Sequence, residues 1–257
     1  MDIEKMLAKK VCEVRQRIGD RAYSMLCDWM NGAPINAPFE QIAPVLLDPE
    51  RTRGRLKYAA EKIGSATGVF VVTEARNHDG KTQFAYLLAW ELRRRGLNVK
   101  WCESIDWSAE DGTLQRILNG FTKWAFEQEK ADVVILDEFP TYRDNAVVAN
   151  QIINEYAKKY GKPIVVIAEM CALPFIENAE QIEVDVWWEE EEALVNAAAL
   201  AAAAFELDDS YVPALAVFIH GVKDVFRRAN ATWRGLPRVV SNAALLMAAA
   251  CDALKHG

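Results

Sequence analysis

The sequence predicts an α/β fold: a parallel five-stranded sheet between a helical N-terminal segment and a helical C-terminal region. Three observations predict it. Short β-branched runs alternate with amphipathic stretches between residues 65 and 188. Apolar residues recur at helical spacing before that stretch, and the chain after Trp187 is helical in pattern throughout. Strands that alternate with helices form parallel sheets covered on both faces.

Each element follows in order. Met6, Val11, Val14, Ile18, Met25 and Trp29 give residues 1–30 a helical period. Gly32, Pro34, Pro38 and Pro44 interrupt it. Asp48, Pro49 and Glu50 form an N-terminal helix signal, and that helix runs to Gly64. The strands are VFVVT (69–73), NVKWC (98–102), DVVILD (132–137), KPIVVIA (162–168) and QIEVDVW (181–187). Helices fall near 81–95, 113–129 and 146–160, the first closed by Gly96 behind three arginines. Glu189–Phe205, Pro213–Ala229 and Pro237–Lys255 complete the chain. The expected domains are therefore a helical segment over 1–64, an α/β core over 65–188 and a helical lid over 189–257.

Composition narrows the classes. The 257 residues are 51% hydrophobic and 26% charged, which is ordinary globular usage. A net charge of -7 argues against a surface basic all over, though not against a local basic patch. Five scattered cysteines without a CxxC pair, and three histidines, suit reduced thiols and no zinc site. The N-terminus lacks a signal-peptide core, and the longest apolar run falls short of the roughly 20 residues a bilayer span needs. The expectation is a cytoplasmic protein without a membrane partner.

The chemistry concentrates in two places. Between the first strand and its helix stands Ala75-Arg76-Asn77-His78-Asp79-Gly80-Lys81-Thr82, followed by Gln83. It matches the phosphate loop G-x-x-x-x-G-K-S/T, with Ala75 in the place of the first glycine. In such a loop the backbone N–H groups near Gly80 point at phosphate and Lys81 reaches the β- and γ-phosphates. Thr82 offers its hydroxyl to Mg2+, and the helix N-terminus adds its positive end. The second place is Val133-Val134-Ile135-Leu136-Asp137-Glu138, an apolar strand ending in two acids (the Walker B pattern). Asp137 is the expected Mg2+ ligand, and Glu138 the group that orients the attacking water. Together they predict ATP binding with Mg2+ and ATP hydrolysis.

Two more features carry a resemblance. The fourth strand ends at Ala168-Glu169, where a polar side chain can face the γ-phosphate. Near the C-terminus stands Trp233-Arg234-Gly235-Leu236-Pro237-Arg238. With the two motifs, these residues resemble an AAA+ ATPase, closest to the origin-recognition and helicase-loader branch, whose plan viral and mobile-element replication ATPases share. The resemblance spans residues 50–257. It implies that Arg238 reaches the phosphates from the lid as a second sensor. It also implies a role in DNA replication, helicase loading or mobile-element transactions, and a homo-oligomer. Such rings carry an arginine finger, yet Pro163–Val222 holds no lysine or arginine. Arg143 is the candidate elsewhere.

Basic residues group at Arg51, Arg53, Arg55 and Lys57, at Arg93-Arg94-Arg95, and at Lys223, Arg227, Arg228 and Arg234. The first and third groups are candidate DNA contacts, and Trp233 suits single strands. Residues 1–30 either dock a protein partner or pack within the chain. Two other readings stay open. A terminase-like packaging ATPase would explain Ala75-Arg76, and a non-hydrolysing nucleotide switch would explain the missing finger.

Overall fold

In the computed structural model the described residues are all but 1, 32, 34, 43–48, 75–80, 103–110, 142, 185–189, 229–235 and 257. They form two compact units. Residues 53–185 make one, and residues 1–52 with 186–257 make the other.

The first unit is built on a five-stranded parallel sheet of β1 (Gly68–Glu74), β2 (Val99–Cys102), β3 (Val133–Leu136), β4 (Pro163–Ile167) and β5 (Ala179–Val184). The strand order is β2-β3-β4-β1-β5. Val72 pairs with Ile167 and Leu136 with Val166, so the carboxyl ends of β1, β3 and β4 finish together. The helices of this unit are α4 (Pro49–Ser65), which the chain enters it along, α5 (Lys81–Arg94), α6 (Asp111–Lys123) and α7 (Arg143–Tyr160).

Why the sheet is covered on both faces is written in its side chains. Val69, Val71, Val134, Leu136, Ile164 and Val166 share one buried cluster with Leu114 and Leu118 of α6 and Ala146, Ala149 and Ile153 of α7. Alternation along a strand sends Phe70, Val72, Ile135, Val165 and Ile167 to the opposite face. These residues are buried too, and α5 packs on β1, β2 and β4 with Phe84, Leu88 and Leu92 inside. A strand buried on both sides has no polar alternation to display, which is why these runs read as continuous apolar stretches.

The strand order also fixes where a ligand belongs. From β1 the chain crosses to β2 at one edge; from β4, its neighbour, it crosses to β5 at the other. Such crossovers are right-handed, so the two connections leave on opposite faces. A crevice opens where they part, outside the carboxyl ends of the strands, and ligands of open α/β sheets bind there.

The second unit is helical: α1 (Ile3–Arg17), α2 (Ala22–Met30), α3 (Phe39–Ile42), α8 (Glu190–Ala204), α9 (Val212–Arg228) and α10 (Leu236–His256). Sequence reasoning set residues 1–64 and 189–257 apart, whereas these contacts gather α1 and α2 with the C-terminal helices. The reason is α8. Every residue from Ala193 to Ala202 is buried, so this helix has no solvent face and needs cover all round. α1, α2, α9 and α10 each pack against it. Its many alanines let those helices approach closely. Ile3, Leu7, Val11, Val14, Met25 and Leu26 spend their apolar faces inside this unit, which supports the packing alternative for residues 1–30. Arg15 adds an ion pair with Asp209 at 2.7 Å and a hydrogen bond to the Leu207 carbonyl. Leu7→Ala should therefore cost about 3 kcal/mol of stability, as buried leucine truncations do. Hydrogen exchange should show the loss in α8 as well as in α1.

Several boundaries moved. The helix expected over 113–129 ends at Lys123 and continues as a π-helical turn over Trp124–Gln128. A 3-10 turn over Met170–Phe175, unforeseen, follows β4. β5 begins at Ala179 rather than 181, and residues 185–187 of the expected strand lie outside the described residues.

Candidate active site

Sequence-predicted residues from two motifs meet at the carboxyl edge of the sheet. α5 opens at Lys81, so Lys81, Thr82 and Gln83 form its first turn, where backbone N–H groups lack helical partners and the helix end is positive. All three are half-buried. Asp137 follows β3 and is only 6% exposed. Its backbone N–H donates to the Cys102 carbonyl at 3.1 Å, which extends the sheet by one residue. The Thr82 hydroxyl donates to Asp137 Oδ1 at 3.4 Å, although 55 residues separate them in the chain. Ala75, Arg76, Asn77, His78, Asp79 and Gly80 lie outside the described residues.

Burial dominates the electrostatics of Asp137. Desolvation pushes its carboxyl up from 3.8 to about 6, and the neighbouring Glu138 charge pushes the same way. The Glu138 N–H at 2.8 Å, the Lys81 ammonium and the Thr82 hydroxyl all pull it down without overcoming burial. A carboxylate in this position favours a cation beside it. The Thr82 hydroxyl and Asp137 carboxylate are the hard oxygen donors Mg2+ takes, and one or two protein oxygens suffice because that ion keeps water and phosphate ligands. The residues present thus fit the expected ion.

Glu138 is set differently from its neighbour. It is exposed, with a φ of 57°, in the left-handed region that side chains seldom enter. The residues on either side are anchored, Asp137 to the Cys102 carbonyl and Phe139 to the Ile167 carbonyl at 2.8 Å. Between those anchors the left-handed residue turns out of the strand line. Backbone strain of this kind, on the order of 1–3 kcal/mol, persists only where its surroundings over-determine it.

Sequence reasoning missed two residues at this edge. Thr73, the penultimate residue of β1, is 4% exposed and its hydroxyl has no partner among the described residues. Cys171 lies in the turn after β4, with Sγ 3.6 Å from Glu169 Oε2. Burial and the Glu169 carboxylate push its thiol up, while the Lys81 charge pulls it down, so the three groups are within electrostatic reach of one another. No pattern in the sequence marked either residue, because a lone threonine or cysteine has no spacing to read.

The remaining expected residues are placed as follows. Arg143 is exposed at the start of α7. Arg51, Arg53, Arg55 and Lys57 are exposed on α4. Lys223 is paired with Glu191, whose carboxyl it holds below its usual range, so this lysine already has an anionic neighbour. Trp233 and Arg234 lie outside the described residues, and the side chains of Arg227, Arg228 and Arg238 lie outside the described ones. Among the described residues no helix is long and apolar enough to cross a membrane.

No family model matches the sequence, and no curated protein does. Two of the solved structures to which the chain is similar are replication proteins. One is a replication initiator DnaA bound to AMPPCP and single-stranded DNA, at 15% identity and a TM-score of 0.40, over 68% of this chain and 59% of that one. The other is a DNA replication initiation factor, at 15% identity and a TM-score of 0.43, over 74% of this chain and 64% of that one. The chain spans less than two thirds of the length of either.

Proposed function

We propose that this chain is an AAA+-like ATPase that binds ATP with Mg2+ and couples its hydrolysis to work on DNA, in replication, helicase loading or a mobile-element transaction. One observation carries the reading. Thr82 and Asp137, 55 residues apart in the chain, come within 3.4 Å at the carboxyl edge of the sheet. That pairing sets two hard oxygen donors side by side, which suits a phosphate-bound divalent cation.

In this reading the first turn of α5 receives the phosphates, with Lys81 as the fixed positive charge and Gln83 beside it. The loop Ala75–Gly80 supplies further N–H groups. Thr82 and Asp137 would hold Mg2+, which would supply charge neutralisation at the phosphates. Glu138, turned out of the strand, accepts a proton from the attacking water and orients it. Arg238 is proposed to reach the nucleotide from the helical region, and Arg143 to act on a neighbouring subunit's site in an oligomer. Arg51, Arg53, Arg55, Lys57, Lys223, Arg227, Arg228 and Arg234 are the proposed DNA contacts, and the cytoplasm the proposed location.

Steady-state phosphate release from ATP, with and without single-stranded DNA, tests this function. Turnover that rises with DNA supports it. Tight ATP binding without turnover under either condition would replace it with the nucleotide-switch reading.

A further inference from the structure

Where α1 and α8 end, the helical unit leaves an open cavity of about 740 Å3. Four carboxylates line it, those of Asp20, Glu206, Asp208 and Asp209, against a single guanidinium, that of Arg15. Ala203 and Ala204 add an apolar wall. Tyr23 adds an aromatic one, 59% exposed, with its ring set edge to face against Phe205 at 6.4 Å. Two helices finish here. α1 ends at Arg17 and turns through Gly19 at a φ of 52°, and α8 ends at Ala204 and turns through Glu206 at a φ of 55°. Helix C-termini carry a partial negative charge, which adds to that of the carboxylates.

These acids are engaged to different extents. Asp209 is paired with Arg15 at 2.7 Å. Asp208 accepts from the Ser210 N–H at 2.8 Å and from the Ser210 hydroxyl. The Asp20 and Glu206 side chains have no partner among the described residues. Glycine is the usual residue at a left-handed turn closing a helix, so glutamate at 206 is strained where glycine would not be.

The lining selects a ligand by sign, size and hydrogen bonding. Its charge turns phosphates away. Among the described residues no three acidic, histidine or cysteine side chains gather closely enough to hold a metal ion, so the charge is spread along a space rather than focused on a point. The volume lies within the roughly 300–1,000 Å3 of small-ligand pockets. Carboxylates accept hydrogen bonds and donate none. A peptide would bring carbonyls that need donors, yet the Arg15 guanidinium is already taken by Asp209 and the Leu207 carbonyl. An alkyl chain bearing several ammonium groups brings donors only. Its methylenes suit the alanines, and an ammonium suits the face of the Tyr23 ring. We propose that this cavity binds a linear polyamine, with Asp20 and Glu206 pairing its ammonium groups and Tyr23 lying against the chain between them. The nucleotide reading neither requires this site nor depends on it.

Isothermal titration calorimetry of spermidine into the full, nucleotide-free chain at physiological salt tests it. Saturable binding at one site is expected. Asp20→Asn should weaken it about tenfold, the loss of one charged hydrogen bond. Tyr23→Leu should weaken it about threefold, the scale of an exposed cation–π contact. Glu206→Gly should weaken it about tenfold while the melting temperature rises, because glycine accepts the 55° φ without strain. A purely structural role for Glu206 would not move the two readouts in opposite directions. Absence of saturable binding, or wild-type affinity in the Asp20→Asn, Glu206→Gly double variant, would overturn the site. Equal displacement of spermidine by Mg2+ at matched charge would reduce it to screening and overturn it as well. Binding of an acetylated trilysine amide ten times tighter than spermidine would overturn the polyamine assignment in favour of a basic peptide.

Discussion

Asp137→Asn should stop ATP turnover and, in the nucleotide-free protein, make the fold more stable. The two effects share one cause. Asp137 is buried, and its carboxyl titrates near 6 in the folded chain against 3.8 when unfolded. The folded state therefore holds that proton more tightly. Below about pH 3.8 the group is neutral in both states and costs nothing. As pH rises from there to 6 the unfolded chain ionises first, and folded stability falls. Above pH 6 the cost is complete, on the order of 3 kcal/mol. Asparagine keeps the shape and removes the titration. Chemical denaturation should show the variant more stable than wild type at pH 8, with the difference vanishing toward pH 4. Phosphate release should fall at least about a hundredfold, because the anionic oxygen proposed to hold Mg2+ is gone. A variant less stable than wild type at pH 8 would show that Asp137 has a structural partner that outweighs its burial.

Glu138→Gln should separate binding from chemistry. The side chain is exposed and carries no packing, so the fold and the affinity for ATP should hold. Turnover should fall by about a thousandfold, the usual scale for a general base. A nucleotide trapped unhydrolysed for hours, recovered by gel filtration and analysed on an ion-exchange column, would be the signature. Near-normal turnover would move the base to another residue. Glu138→Gly adds a second reading. Glycine accepts the 57° φ without strain, so the fold should gain stability while turnover stays lost.

The core strands were legible because they are buried on both faces. Val133–Leu136 and Pro163–Ile167 are unbroken apolar runs, and their ends carry the acids that follow. The Thr82–Asp137 meeting was legible in kind, since the two motifs imply it, but its 3.4 Å separation was not. The left-handed turn at Glu138 was invisible. It depends on hydrogen bonds to Cys102 and Ile167 from other strands, and no local residue preference signals it. The grouping of α1 and α2 with α8 was hidden for a similar reason. An amphipathic helix declares that it needs a partner, and only long-range contacts say which.

The nucleotide site is tested most directly by equilibrium titration of ATP with Mg2+ into wild type and Lys81→Ala, followed by calorimetry. Lys81 heads α5 beside Thr82 and within electrostatic reach of Asp137. In the proposed site its removal would leave the phosphates without a fixed cation. Saturable binding by wild type, weakened at least about a hundredfold in Lys81→Ala with the melting temperature unchanged, is the predicted result. Equal, tight binding by both proteins would contradict the phosphate-cradle assignment.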